Sequence, residues 1–169
     1  MTIKFSTRVM YVFLCASLIL LGTWIPFPAN NTLAAGCYGS SCTGLNPHTL
    51  GCDNDAKTGP SKTVSENGGQ NKAKVENRYS VVCNAEWERT RNKSSGSRYA
   101  AGSIRYGCAN YCYHQSVSSP GPISYNQVVY TPMIGPDTYT DTRSCGRVAT
   151  SGPIPIPIPL SNFRCTLAG

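Results

Sequence analysis

The sequence predicts a small, mainly β protein: a loop-rich antiparallel β domain, either a sandwich or a partly open barrel, that is stabilised by disulfides. Charged residues make up only 14% of the 169 residues, whereas Gly (16), Pro (12), Tyr (10) and Cys (9) are abundant. This composition is typical of loop-rich β domains. In residues 72–91, small, apolar or aromatic residues alternate with mostly polar ones, which is the period of a strand with one buried face.

Residues 1–35 are expected to be a signal peptide that is removed on export. A short basic segment precedes an apolar run over residues 9–21, and small residues allow cleavage after Ala35 or Ala34. The apolar run is short for a membrane span, which takes about 20 residues. We therefore favour cleavage over an uncleaved anchor and expect no stable membrane span in the mature chain. Lipidation of Cys37 is disfavoured, because a polar, proline-containing gap separates it from the apolar run.

The net charge bears on partners and location. Removing the leader takes away two basic residues and no acid, so the net charge falls from +7 to +5. A mildly basic exported protein tends to associate with anionic surfaces, although solubility alone is the simpler reason for such charge. We expect a secreted protein that is extracellular or associated with the cell wall. A wall polymer or other anionic extracellular polymer is the candidate partner, and the chain has no nucleic-acid-binding motif.

Eight cysteines remain after the leader: Cys37, Cys42, Cys52, Cys83, Cys108, Cys112, Cys145 and Cys165. An even number in an exported chain predicts a disulfide framework, here of up to four bridges. Cys108, Cys112 and His114 lie close together, but their spacing is not that of a standard zinc site, and export favours disulfides. We expect neither a metal nor a cofactor.

Residues 36–150 are expected to form the β domain. Its first part is rich in Gly, Ser, Asn and Pro and is expected to be loop and turn. Gly59–Asn71 is polar and glycine-bearing, and we interpret it as a linker or surface loop. The stretch that follows is too long for one strand. It predicts strands at about 72–79 and 84–91, joined by a bend, with the odd-numbered side chains on the buried face.

Three further strands are expected after this pair. Residues 97–106 are predicted to form a hairpin with the preceding strand, and residues 123–130 and 139–148 also have strand-like patterns. Residues 151–169 form a Pro-rich C-terminal segment in which alternate prolines lack an N–H for sheet pairing. We interpret it as a packed strap pinned by Cys165, in preference to a docking segment for a proline-binding partner.

Three blocks of sequence resemble a known family. They are C-Y-G-S-S-C-T-G-L-N-P at 37–47, G-C-D-N-D-A-K-T at 51–58 and V-E-N-R-Y-S-V-V-C-N-A-E-W at 75–87, followed by Y-T-P-M at 130–133. This pattern is similar to the YjfA-like family of secreted bacterial proteins, which is filed as a domain of unknown function (2690). Asn46 and Asn77 depart from it, since Asp and Leu are usual there. The resemblance implies an exported domain and transfers no activity.

Two disulfide pairs are expected within these blocks. Pairing of Cys52 with Cys83 would tie the first loop to the central strand. A bond that closes this loop of about 31 residues would stabilise the fold by about 3–4 kcal/mol on the chain-entropy relation. Cys37 and Cys42 are then expected to pair locally. The remaining connectivity stays open.

Binding residues have weaker signals than the cysteines. Arg78 is expected to form an ion pair with Asp55, and a ligand-facing role is its alternative. Tyr111, Tyr113 and His114 form an aromatic group beside a cysteine pair. Tyrosine serves both core packing and recognition, so these residues are binding candidates without a defined ligand.

Catalysis has little support in the sequence, and we assign no catalytic residue. His48 and His114 are the only histidines, and no G-x-S-x-G or comparable motif marks a nucleophile. Glu86 and Glu88 share a strand face, where we expect them to be solvated. The sequence favours a non-catalytic extracellular or cell-surface module of unknown biochemical function over an enzyme. The alternatives are a small extracellular hydrolase acting on a wall polymer and a secreted inhibitor.

Overall fold

A computed structural model describes residues 36–106, 113–135, 142–156 and 164–166. The expected signal peptide lies outside these ranges, as do Cys108, Tyr111 and Cys112. Within them, no helix has both the length and the apolar character needed to span a membrane.

The described residues contain eight strands: β1 (Lys57–Glu66), β2 (Asn71–Ser80), β3 (Ala85–Asn92), β4 (Tyr99–Tyr106), β5 (Tyr113–Ser118), β6 (Val128–Tyr130), β7 (Thr142–Ala149) and β8 (Arg164–Cys165). They form two sheets, sheet 1 in the order β1-β2-β3-β6 and sheet 2 in the order β5-β4-β7-β8. All of these pairings are antiparallel. The predicted antiparallel β fold is confirmed, as two facing sheets that do not close into a barrel.

Strand β1 corrects the expectation of a linker or surface loop at residues 59–71. It pairs with β2 at the edge of sheet 1, and Val64 is its one buried residue. An edge strand with mostly exposed polar side chains lacks the alternation that identifies strands from sequence. Pro60 sits where the register shifts, which an edge strand tolerates because one side of it faces solvent.

The turn between β2 and β3 decides which side chains share a face. Both strands are found within one or two residues of the predicted bounds, and Ser80 pairs with Ala85 across a four-residue turn. Odd-numbered residues of β2 therefore lie opposite even-numbered residues of β3. Val75 packs between the sheets, whereas Trp87 faces away from sheet 2. The expectation of one buried odd-numbered face was wrong, because the turn length reverses the parity.

Three apolar clusters follow from this arrangement. Val64, Ala73, Val75, Ala100 and Val148 fill the space between the sheets. The second cluster lies where residues 36–56 cover one end of the outer face of sheet 1, and comprises Cys42, Cys52, Cys83, Ala85, Trp87 and Met133. The third, Ala101, Cys145 and Ile154, lies where the C-terminal strap meets sheet 2. Each outer cluster contains a disulfide.

Three disulfides occur among the described residues. Cys37 is bonded to Cys42 and Cys52 to Cys83, the two expected pairs, and Cys145 is bonded to Cys165. The four sulfurs of the first two bonds lie within 4.8 Å of one another. Both bonds are formed, so these sulfurs are not thiolates that could ligate a metal.

The later strands agree only partly with expectation. β4 forms as predicted, but it pairs with β5 and β7 in sheet 2 instead of forming a hairpin with β3. Of the predicted strand at 123–130, residues 128–130 pair with β3, and Ile123 makes an isolated bridge to Arg98. In the strap, Ile154 is buried and Ile156 is 47% exposed.

Candidate functional site

Arg78 does not form the expected ion pair with Asp55. Its Nη2 donates to the carbonyl of Ala56 at 2.7 Å and its Nη1 donates to the hydroxyl of Thr58. Asp55 instead accepts from the Ser80 hydroxyl at 2.5 Å and from the backbone N–H groups of the turn after β2. A carboxylate that binds two successive N–H groups is better satisfied by this turn than by a flexible guanidinium. Arg78 therefore fastens the start of β1 to β2, which is a structural role.

The histidines lie on different parts of the surface. His114 is an exposed residue of β5, the strand that Tyr113 begins. His48 lies in the N-terminal loop, where its Nδ1 is 2.7 Å from Asp53 Oδ2 and its side chain is 74% exposed. Such a pair orients an imidazole, but neither of its residues lines the cleft described below.

Glu88 corrects the expectation of a solvated pair of glutamates. Its side chain is fully buried between the sheets, while Glu86 is partly exposed and accepts hydrogen bonds from Asn77 and Thr142. The Glu88 carboxyl contacts the Thr90 hydroxyl, and its other oxygen has no hydrogen-bond partner in the described part of the chain. Burial raises the pKa of Glu88 well above its usual value, and the hydrogen bond from Thr90 only partly opposes this.

Replacing Glu88 by Gln is expected to remove a pH-dependent loss of stability. Because the folded pKa is raised, the unfolded chain loses its proton first as pH rises, and stability falls by about 1.4 kcal/mol per pH unit up to the folded pKa. The Gln variant has no titratable group at this position, so it lacks this pH-dependent loss of stability. Its free energy of unfolding relative to the native protein should therefore increase as pH rises above about 4.3. A difference that stays constant from pH 4 to 7 in urea unfolding would show that Glu88 is not protonated in the folded state.

Five cations are collected on the outer face of sheet 1, beyond the end covered by the N-terminal loop. They are Lys72, Lys74, Arg89, Arg91 and Lys93, which we call the basic face. Lys74 lies directly opposite Arg91, and the N–H of Lys93 donates to the carbonyl of Lys72 at 2.8 Å. Directly opposed residues in antiparallel strands have Cβ atoms about 5 Å apart on the same face. The register therefore brings together charges that are scattered in the sequence.

Glu76 is the acidic residue within the basic face. Its carboxylate lies 2.8 Å from Lys74 Nζ and 2.6 Å from Arg89 Nε. Burial alone raises the pKa of Glu76, but hydrogen bonds and charge from Arg89 and Lys74 outweigh burial and lower it. One carboxylate against five cations leaves a net charge of +4 on the face. The directly opposed Lys74 and Arg91 repel one another, which costs stability in the free protein.

Hydroxyl and aromatic side chains border the basic face. Opposite its β2 residues, the neighbouring strand β1 carries Ser61, Thr63 and Ser65. Tyr130 of β6 lies opposite Arg89, and Tyr125 is 54% exposed. Lys93 Nζ lies 4.9 Å from the centre of the Tyr125 ring. Cations bind oxyanions, and hydroxyl and tyrosine groups bind sugars or other polyols through hydrogen bonds and ring contacts.

An open cleft of about 530 Å³ lies next to the basic face. It is lined by residues 65–69, which end β1 and form the turn to β2, and by Arg147 and Arg164 of sheet 2. Arg147 Nη2 donates to Glu66 Oε2 at 3.0 Å. A Cβ built on Gly69 would lie 3.8 Å from Cε of Lys72, so the cleft borders the basic face.

The family model described as "Protein of unknown function (DUF2690)" matches residues 40–145. The chain belongs to this family. The expected domain of unknown function is thereby confirmed, and the matched region contains the whole basic face and the Cys52–Cys83 disulfide, whereas Cys37 lies just before it. Arg147 and Arg164 of the cleft lie beyond the matched region. No curated protein and no solved structure matched the chain.

Sequence reasoning missed the basic face in this family member, although a signal was present. Lys72 and Lys74 alternate before the turn of the hairpin, and Arg89, Arg91 and Lys93 alternate after it. Because the turn has four residues, the even-numbered residues before it and the odd-numbered residues after it lie on the same face of the hairpin. The cleft has no comparable signal, because it joins segments about 80 and 95 positions apart.

Proposed function

We propose that the protein is an exported, non-catalytic module that binds an anionic extracellular polymer through the basic face. The observation that carries this proposal is the set of five cations on β2 and at the end of β3, one exposed and four half-buried, two of them directly opposed. Natural sheets avoid such like-charge pairs unless something offsets their repulsion. A bound polyanion offsets it, because its oxyanions lie between the cations.

Export is supported by the cysteine chemistry and by the expected leader. Disulfides persist in oxidising compartments and are rare where glutathione keeps thiols reduced. The described part of the chain contains three, two in the cluster around Trp87 and one in the cluster around Ile154. We propose secretion, with the protein either free outside the cell or held at the cell wall by its own binding.

The hydrolase alternative has its nearest support in the pair formed by His48 and Asp53. The imidazole is oriented by the carboxylate at 2.7 Å, as a general base requires. However, the His48 side chain is 74% exposed, whereas catalysis gains most where water is excluded. We therefore propose binding, and expect His48→Ala to leave polymer retention unchanged.

The proposal predicts that Lys74→Gln/Arg91→Gln weakens retention on isolated cell walls by about 30-fold at low salt, at about 1 kcal/mol per cation near an anionic surface. The measurement is a pull-down of purified mature protein at several salt concentrations. Retention should fall as salt screens the charges, because the contacts are exposed. Lys74→Gln removes the ion pair with Glu76 as well as the repulsion from Arg91, so urea unfolding of the double variant is measured alongside and retention is compared where both proteins are folded.

The matched control is Lys57→Gln/Lys62→Gln. Both lysines are exposed on β1 and pair with Tyr79 and Val75, which puts them on the other side of the same sheet. This control removes the same charge and should retain nearly native binding. Equal weakening by both double variants would mean that net charge acts without a site and would overturn the proposal.

A further inference from the structure

We propose that the cleft beside the basic face binds the terminal unit of the polymer, a polyol unit that carries one phosphate or carboxylate. This inference rests on the proposed function and adds an end-specific site to it. The cleft is large enough for such a unit, at about 530 Å³, and is lined mainly by polar groups from two sheets.

The turn that lines the cleft has few side chains. Asn67, Gly68 and Gly69 have positive φ values of 50°, 63° and 89°, a conformation that glycine adopts without steric cost. A Cβ built on Gly68 would meet no atom within 4 Å. The turn therefore leaves main chain open to a ligand, where side chains would otherwise fill the space.

The charges of the cleft favour one oxyanion together with hydroxyl groups. Arg147 and Arg164 supply two guanidinium groups, and Glu66 supplies one carboxylate. Glu66 fixes Arg147 at 3.0 Å, so the lining keeps a net charge of +1. A guanidinium binds a phosphate or carboxylate through paired hydrogen bonds. Glu66, Asn67 and Ser65 accept or donate hydrogen bonds to hydroxyl groups, which suits a polyol better than a simple ion.

The cleft opens onto the basic face at Lys72. Ser65 of the cleft lies opposite Lys72 in the β1–β2 register, and the Lys72 side chain passes beside Gly69. Lys74 follows along β2, with a spacing of about 7 Å between side chains on the same face. A chain end held in the cleft would therefore place its next oxyanions over the cations of the basic face.

The test compares binding of poly(glycerol phosphate) oligomers that end in a phosphate monoester with the same oligomers after phosphatase treatment, by calorimetry. For the carboxylate, an oligogalacturonate is compared with an oligomer of the same length whose terminal unit is galactose. We expect the native protein to bind one of the two oligomers with an intact anionic end about tenfold more tightly than its own counterpart without that end group. Arg164→Gln should abolish this preference and leave binding of the treated oligomer unchanged, whereas Lys62→Gln should leave the preference intact.

The outcomes separate this inference from the proposed function. If Lys74→Gln/Arg91→Gln weakens all oligomers while the native protein ignores the end group, the end site is wrong and the basic face stands. If Arg164→Gln weakens treated and untreated oligomers equally, Arg164 belongs to the general binding face and the inference also fails. If isolated walls bind the native protein but no oligomer binds it under the same conditions, the terminal-unit proposal fails while wall binding stands. If neither oligomers nor walls bind, the proposed function fails first.

Discussion

Replacing both Cys52 and Cys83 by alanine is expected to lower the free energy of unfolding by about 3–4 kcal/mol. This disulfide spans 31 positions, and the chain-entropy relation assigns that much stabilisation to a loop of this length. Both cysteines are buried in the cluster around Trp87, so any loss of packing adds to the effect. Urea unfolding followed by the fluorescence of Trp87 measures the change.

The control for this prediction is the double variant Cys37→Ala/Cys42→Ala. Its disulfide is part of the same sulfur cluster but spans only five positions, so the same relation gives about 2 kcal/mol. Equal losses in the two variants would contradict the loop-length account. Such a result would mean that packing of the sulfurs, and not loop closure, holds the N-terminal loop on sheet 1.

Gly102→Ala is expected to destabilise the protein by about 3 kcal/mol, the upper part of the range for overpacking a core. Gly102 of β4 faces the Glu88 side chain, and an added Cβ would overlap the Glu88 carboxyl group. The carboxyl has little room to move, because Glu88 is fully buried and its Oε1 contacts the Thr90 hydroxyl. Urea unfolding of the single variant measures the effect.

The same contact predicts a rescue. Adding Glu88→Ala to Gly102→Ala removes the overlapping carboxyl, so the double variant should be more stable than the sum of the single effects by about 1–3 kcal/mol. Gly121→Ala is the matched control, since a Cβ there meets nothing within 4 Å. Its effect should stay within about 0.5 kcal/mol. If the loss of stability in the double variant equals the sum of the two single losses, direct contact between residue 102 and Glu88 is ruled out as the cause of the destabilisation.

Strand β3 carries both the buried glutamate, on one side, and two cations of the basic face, on the other. β3 directs Glu88 towards sheet 2, where burial raises the pKa of its carboxyl well above the usual value, and directs Arg89 and Arg91 to the outer face. The raised pKa favours the neutral form of the Glu88 carboxyl, which adds no negative charge beneath the basic face. Among the described residues of that face, Glu76 alone opposes the five cations and is bonded to Lys74 and Arg89, which leaves the net charge of +4.

Several features could be predicted from the sequence because their signals are local. Alternation over residues 72–91 predicted β2 and β3, and the even number of cysteines after residue 35 predicted a disulfide framework. The three family blocks gave the pairs Cys37–Cys42 and Cys52–Cys83. In each case the signal lies in short-range spacing or in residue type, and neither depends on how the sheets face one another.

The tertiary structure decided which side chains meet. The four-residue turn after Ser80 reversed the parity of β3, so it buried Glu88 and moved Trp87 to the other face. Because β1 lies at the edge of sheet 1, it forms a strand although its side chains do not alternate between apolar and polar. A side chain's exposure depends on strand register, sheet order and loop packing, which are long-range contacts that spacing along the chain does not encode. The sequence by itself therefore determined the strands and the covalent framework, and only the folded sheets determined the basic face and the cleft.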